Sequence, residues 1–196
     1  GLALSIPALR GAAEVSGGAN GVVIVGGGLA GAAAGALLAK AGVRSLILER
    51  ESEPRDKICG EFLSFEAQAH LAAAGLDPEA LGGARIGGMR LACGRHLVET
   101  ALPFGALGVS RRRLDEALLE HATRQGAAVE RGVAVRHVCA GRLETSSGEV
   151  TAPIVLLASG KHDVRGARAE AVKALVGNVG FKSYFRLARA QRPLVI

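Results

Sequence analysis

The hydrophobic pattern changes period several times along the chain, and each change marks an element. Val22-Val-Ile-Val25 is an unbroken β-branched run of the kind that forms a buried parallel strand. From Leu29 to Ala41 the residues are mostly Ala and Leu, strong helix formers, and Gly42 closes the helix. Ser45 to Leu48 returns to an apolar strand with Glu49 at its carboxyl end, and Arg50 to Lys57 is a charged loop containing Pro54. Ser64 is placed to cap a helix over Phe65 to Ala74 that stops at Gly75. Arg85 to Ala92 and His96 to Leu102 read as two strands around a turn at Cys93-Gly94. Ser110 caps a helix from Arg111 to Gln125, whose stripe is Leu114, Ala117, Leu118 and Ala122 and whose C-cap is Gly126.

From Val129 the pattern shortens. Val133 to Val138 alternates, Ala140-Gly141 turns, Arg142 to Thr145 follows, and Ser146-Ser147-Gly148 turns again before Val150. This predicts an antiparallel meander. Ile154 to Ala158 is fully apolar, as the centre of a parallel sheet requires, and runs into Ser159-Gly160. The predicted class is α/β, a Rossmann-like parallel sheet whose crossover is a β-meander in place of a helix.

The turn between the first strand and the first helix carries the candidate chemistry. It reads Gly26-x-Gly28-x-x-Gly31, and Glu49 ends the next strand eighteen residues beyond Gly31. Gly26 lets the chain turn sharply, Gly28 allows a pyrophosphate to approach the backbone, and Gly31 with Gly35 lets the helix lie close on the sheet. The helix start offers unpaired N–H groups and a partial positive charge to phosphates. Glu49 is placed to accept from a ribose hydroxyl and repels a 2′-phosphate. With 28 glycines in 196 residues, chance matches to the glycine pattern are expected; the flanking strand, helix and acid make this one specific. No charge falls between Gly21 and Ala39, but the Gly-Gly-Gly turn and the Ala-Gly composition argue against a membrane span.

Composition alters this picture little. The chain is 49% hydrophobic and 3% aromatic, so its core is built from Ala, Val, Leu and Ile. A net charge of +6 raises nucleic acid as a partner, yet the arginines are spread out and few aromatics are present for stacking. No nucleic-acid partner is expected. Cys59, Cys93 and Cys139 are far apart and show no zinc spacing, which points to reduced thiols, no metal site and a cytoplasmic protein. Gly1 to Asn20 lacks the pattern of a signal peptide and reads as a flexible lead-in. Arg111 stands awkwardly in the first turn of its helix, where a cation opposes the dipole, and a nearby anion would resolve this.

Four segments resemble the FAD-dependent oxidoreductases that include p-hydroxybenzoate hydroxylase-like monooxygenases and geranylgeranyl reductase-like enzymes. They are Gly26 to Arg50, Pro54 to Ser64 (PRDKICGEFLS), Val109 to Asp115 with the Gly126-Ala127 helix ending, and Ile154 to Asp163. In the last of these, Ser159 stands where the family has Thr or Asp. The resemblance implies an FAD-binding domain over residues 21–170, with 85–108 as the inserted start of a substrate-side sheet. It implies that 171–196 begins an incomplete substrate domain, with a first strand from Val179 to Leu187. The second flavin fingerprint of these enzymes is missing, so the chain is expected to be an N-terminal part, truncated before the substrate domain is complete.

By the same resemblance, Gly26, Gly28, Leu29, Ala30 and Gly31 surround the FAD pyrophosphate, Glu49 holds the adenosine ribose and Arg50 lies along the adenine. Val133 offers backbone contacts to adenine, Arg111 contacts the cofactor, Cys59 and Gly60 lie near the flavin ring, and Gly160 ends the return strand at the cofactor. The implied activity is monooxygenase or double-bond reductase chemistry on an apolar organic substrate, with NAD(P)H as a candidate electron donor. Peripheral membrane contact stays open, as does the oligomeric state, and no catalytic residue is assigned. A flavin halogenase, a related branch, is disfavoured by the lack of Trp. Two alternatives remain: an NAD-dependent dehydrogenase, and a non-catalytic flavin-binding remnant.

Overall fold

The structure, a computed structural model, describes residues 21–162, 164–167, 180–186 and 188. The described chain falls into two compact units. One takes residues up to 53 and those from 119 to 167, and the other takes 54–118 with 180–188.

The first unit is built on a parallel sheet. Strand β1 (Val22–Val25) leads through the glycine turn into helix α1 (Leu29–Lys40), and β2 (Ser45–Glu49) follows. In register, Val22 to Val25 pair with Ser45 to Leu48. The alternation of side chains sets two faces. Ile24 and Ile47 are fully buried, and a Cβ on Gly35 of α1 would come within 2.6 Å of Ile47 Cδ1, so the helix rests on that face.

The second unit begins with β3 (Phe62–Leu63) and helix α2 (Phe65–Ala73), whose Ser64 cap accepts from the Ala67 amide. A single 3-10 turn (Glu79–Leu81) precedes β4 (Ala84–Cys93) and β5 (His96–Gly108), which pair antiparallel with a bulge between Ile86 and Gly88. With β3 they form a sheet ordered β3-β5-β4. Helix α3 (Arg111–Gln125) gives its residues through Leu118 to this unit and the rest to the first.

Beyond α3 the first unit resumes with β6 (Ala128–Arg131), parallel to β2. Strands β7 (Val135–Cys139), β8 (Arg142–Thr145) and β9 (Gly148–Thr151) make the expected meander. Ala140 and Gly141 both take positive φ at the β7–β8 turn, 46° and 79°, as a two-residue hairpin turn demands. Val138, Leu143 and Val150 of the meander cluster with Val23, Val25, Leu46 and Leu48, which covers the other sheet face.

Strand β10 (Ile154–Leu157) then pairs parallel with β1, and the sheet order is β10-β1-β2-β6. Three expectations need correction. Residues 128–131 belong to the parallel sheet, not to an antiparallel run. Among the described strands β10 lies at an edge rather than the centre, and Ile154 stays 49% exposed. Residues 180–186 form no strand, although the sequence predicts one from Val179 to Leu187. Residues 1–20 and most of 171–196 lie outside the described residues. No helix among the described residues is long and apolar enough to cross a membrane.

Candidate functional site

In the first unit the carboxyl ends of β10, β1 and β2 converge. Strand β1 has β2 on one side and β10 on the other, so the chain changes direction across it, the place where open α/β sheets bind ligands. Gly26 continues β1 by donating to the Leu48 carbonyl at 2.8 Å, then turns at φ +102°. A Cβ there would meet the Ala158 carbonyl oxygen at 2.6 Å, and one on Gly31 would run into the Gly26 carbonyl oxygen. These two glycines are therefore required by the backbone packing itself.

Gly28 is the N-cap of α1, and no side chain caps the helix or places an acid in its first turn. The amides after it, at Leu29 and Ala30, belong to the set that a helix leaves without internal partners. Leu29 is half-buried and Ala30 exposed. The start of α1 is thus an open, electropositive turn.

The Glu49 carboxylate sits over this turn. Its Oε2 accepts from the Gly27 amide at 2.6 Å and its Oε1 from the Glu51 amide at 2.9 Å. An ionised carboxylate has about four acceptor positions, so two remain for hydroxyl donors such as those of a ribose. A Cβ on Gly27 would lie 3.1 Å from Glu49 Oε2, so the middle glycine of the run lets the acid sit close without displacement. The motif spacing left Gly27 unassigned; a run of three glycines where the pattern asks for two was its signal.

Arg50 follows outside, exposed, with its Nη2 2.8 Å from Glu51 and 3.2 Å from His162 Nε2. Ser159 Oγ donates to the His162 carbonyl at 2.8 Å, and Gly160 takes φ +65° in the same turn. Val133 is buried, and its amide donates to the Glu49 carbonyl at 3.0 Å, so that amide is committed to β2.

The second unit collects Cys59, Gly60 and Arg111. Arg111 holds Asp115 through two nitrogens, at 2.8 and 3.1 Å, and Lys57 Nζ reaches the same carboxylate at 2.5 Å. Asp115, with burial opposing it, raises the Arg111 pKa above its ordinary value. The anion that Arg111 needs in the first turn of α3 is therefore Asp115, one turn on, a pairing legible from i,i+4 spacing. Glu61 is the residue that sequence reasoning missed. It adopts φ +56°, a left-handed conformation that costs a non-glycine residue about 1–2 kcal/mol. Its Oε1 accepts from the Arg111 amide at 2.9 Å, the Tyr184 hydroxyl at 2.8 Å and Lys182 Nζ at 2.6 Å. Burial opposes its ionisation, but Lys182, the Arg111 amide and Tyr184 outweigh it and hold the carboxyl below its usual range.

Residues 20–188 match the FAD binding domain family. The chain belongs to that family. FAD is accordingly the cofactor of this domain, and the open turn, the glycines that no Cβ can replace and the acid with spare acceptor positions fit its adenosine diphosphate portion. The family match decides against the NAD alternative. Among relatives of this FAD binding domain, the menaquinone reductase of Mycobacterium tuberculosis is 37% identical over 124 residues, 59% of this chain and 30% of that protein. Among solved structures, the myxobacterial chondrochloren halogenase CndH superposes with a TM-score of 0.64 at 25% identity, covering 73% of this chain and 38% of the halogenase. A flavoprotein/dehydrogenase from Cytophaga hutchinsonii gives 0.59 at 27% identity, with 70% and 38% covered. The chain thus spans about a third of the length of these proteins. Halogenases appear among the neighbours although the sequence disfavours that branch.

Proposed function

We propose that this FAD binding domain serves an oxidoreductase of the reductase kind, acting on an apolar, quinone-like molecule. The observation that carries the cofactor part is the Glu49 carboxylate bound to the Gly27 amide beside an uncapped helix start. The substrate class is supported by the 37% identity to a menaquinone reductase and by the Lys57 to Ser64 stretch, which is similar to the geranylgeranyl reductase-like branch.

In this reading Gly26, Gly28, Leu29, Ala30 and Gly31 surround the pyrophosphate, where the α1 amides and dipole offset its charge. Glu49 accepts from the ribose and excludes a 2′-phosphate by repulsion. Arg50 lies along the adenine, Val133 borders it through its backbone, and Gly160 leaves room at the return strand. Cys59 and Gly60 are assigned to the neighbourhood of the flavin ring, and Arg111 to the cofactor. FAD, when bound, supplies the two-electron chemistry, and these residues supply binding and orientation.

The test begins with the absorption spectrum of the purified chain after incubation with FAD or NAD. Stoichiometric flavin retention, lost at least about tenfold in Gly28→Val, is expected from a Cβ intruding on the pyrophosphate. Retention unchanged in that variant would overturn the site. Incubation of the flavin-loaded protein with a reductant and a menaquinone is expected to give a product richer by two hydrogens, formed faster than in a protein-free control with the same reductant. An oxygenated or halogenated product would overturn the reductase reading.

A further inference from the structure

Residues 57–61 form a turn whose two ends are tied to one distant side chain. Lys182 Nζ lies 2.6 Å from Glu61 Oε1 and donates to the Lys57 carbonyl at 3.2 Å. The same ammonium stands 4.7 Å over the ring of Tyr184, whose hydroxyl donates to Glu61 and has Asp56 Oδ1 at 3.2 Å. Both backbone groups of Glu61 are also engaged: its amide donates to Cys59 Sγ at 3.4 Å, and its carbonyl accepts from the Val109 amide at 3.0 Å. An L-residue keeps a left-handed φ only where its surroundings over-determine it. Here its amide, carbonyl and side-chain carboxylate all hold it.

We propose that Glu61 is a positioning residue: its carboxylate, gripped by Lys182 and Tyr184, fixes the turn that presents Cys59 and Gly60. The grip itself stands on the distances above. Only the meaning of the turn rests on the assignment of Cys59 and Gly60 to the flavin neighbourhood. Besides Lys182, Tyr184 and Asp56, the titratable and charged groups around it among the described residues are Lys57, Cys59, Arg111 and Asp115.

The chain contains one Tyr and no Trp, so its ultraviolet phenol signal reports Tyr184 alone. Replacing the exposed Cys93 and Cys139 by Ser leaves Cys59 as the sole thiol for alkylation. In that background, Glu61→Gln is expected to lower the Tyr184 ionisation midpoint, because an anionic acceptor is lost, whereas Lys182→Met raises it, because a cation is lost. Both are expected to speed Cys59 alkylation by about threefold or more as the turn opens. Opposite phenol shifts with a common thiol effect are not produced by general destabilisation, and circular dichroism checks that each variant folds. Glu61→Gly relieves the backbone strain but lacks the carboxylate, so it too is expected to react fast. An unmoved phenol midpoint in Glu61→Gln, an unchanged alkylation rate, or wild-type protection in Glu61→Gly would each overturn the proposal. Failure of the wild-type chain to bind FAD would strike the cofactor reading and leave these two readouts standing.

Discussion

Helix α1 starts at a glycine, with no capping side chain and no acid in its first turn. Helix α3 starts with two of its donors taken: the Arg111 amide goes to Glu61 and the Arg113 amide to Ser110 Oγ at 3.3 Å. Both helices carry the same dipole and the same orphan amides. The difference is that α3 is satisfied by its own chain, while α1 leaves its amides for water or an anion. Open donors at one helix start, against paired ones at another, support the proposed phosphate site independently of the glycine spacing.

Gly31 is the position of largest expected effect. Gly31→Ala drives a Cβ into the Gly26 carbonyl, and thermal or urea unfolding is expected to show a loss of about 3 kcal/mol together with loss of FAD. Next, Asp115→Asn strips the anion from Arg111 and Lys57, and a loss of about 2 kcal/mol is expected, since Asp115 is only 12% exposed. Ala30→Glu sharpens the contrast by giving α1 the acid it lacks. The unliganded protein is expected to gain about 0.5 kcal/mol from the helix dipole, while FAD binds about tenfold more weakly by titration. A gain in FAD affinity would show that the α1 start does not hold the phosphates.

The smallest effect is on pH dependence. Glu61 lies below its usual range, so its contribution is present above the ordinary glutamate value of about 4.3 and is lost as pH falls through the lowered one. For Lys182, burial acts downward but Glu61 prevails and raises it, so its share is present below about 10.4 and is lost as pH rises through the raised value. The difference in melting temperature between wild type and Glu61→Gln is therefore expected to be widest between those limits and to shrink on both sides.

What the sequence makes legible is what short range decides. Strand β1, the turn, α1 and β2 lie within thirty residues, and each residue type there has a local reason. Helix α3 is equally readable, since Leu114, Leu118 and Ala122 recur at helical spacing and are fully buried. Strand β6 was not readable: Ala-Val-Glu-Arg becomes a strand by pairing with β2, a partner remote in sequence. The apolar run of β10 reports burial propensity and not its neighbours, so its edge position was hidden. Glu61 lies inside the PRDKICGEFLS stretch, but the partners that give it its role, Lys182 and Tyr184, lie more than a hundred positions away.

The parallel sheet is also an order of events. Strand β2 ends at Glu49 and its neighbour β6 begins at Ala128, with most of the second unit's sequence between them; β10 comes later still. During synthesis β1, α1 and β2 leave the ribosome as a nucleus with two unpaired edges, and both edges wait for strands not yet made. Such late pairings raise contact order and slow folding, and they expose apolar strand edges meanwhile. This predicts that the nascent β1-α1-β2 segment depends on chaperones, and that the glycine turn is formed before the strand end at Ser159-Gly160 arrives beside it.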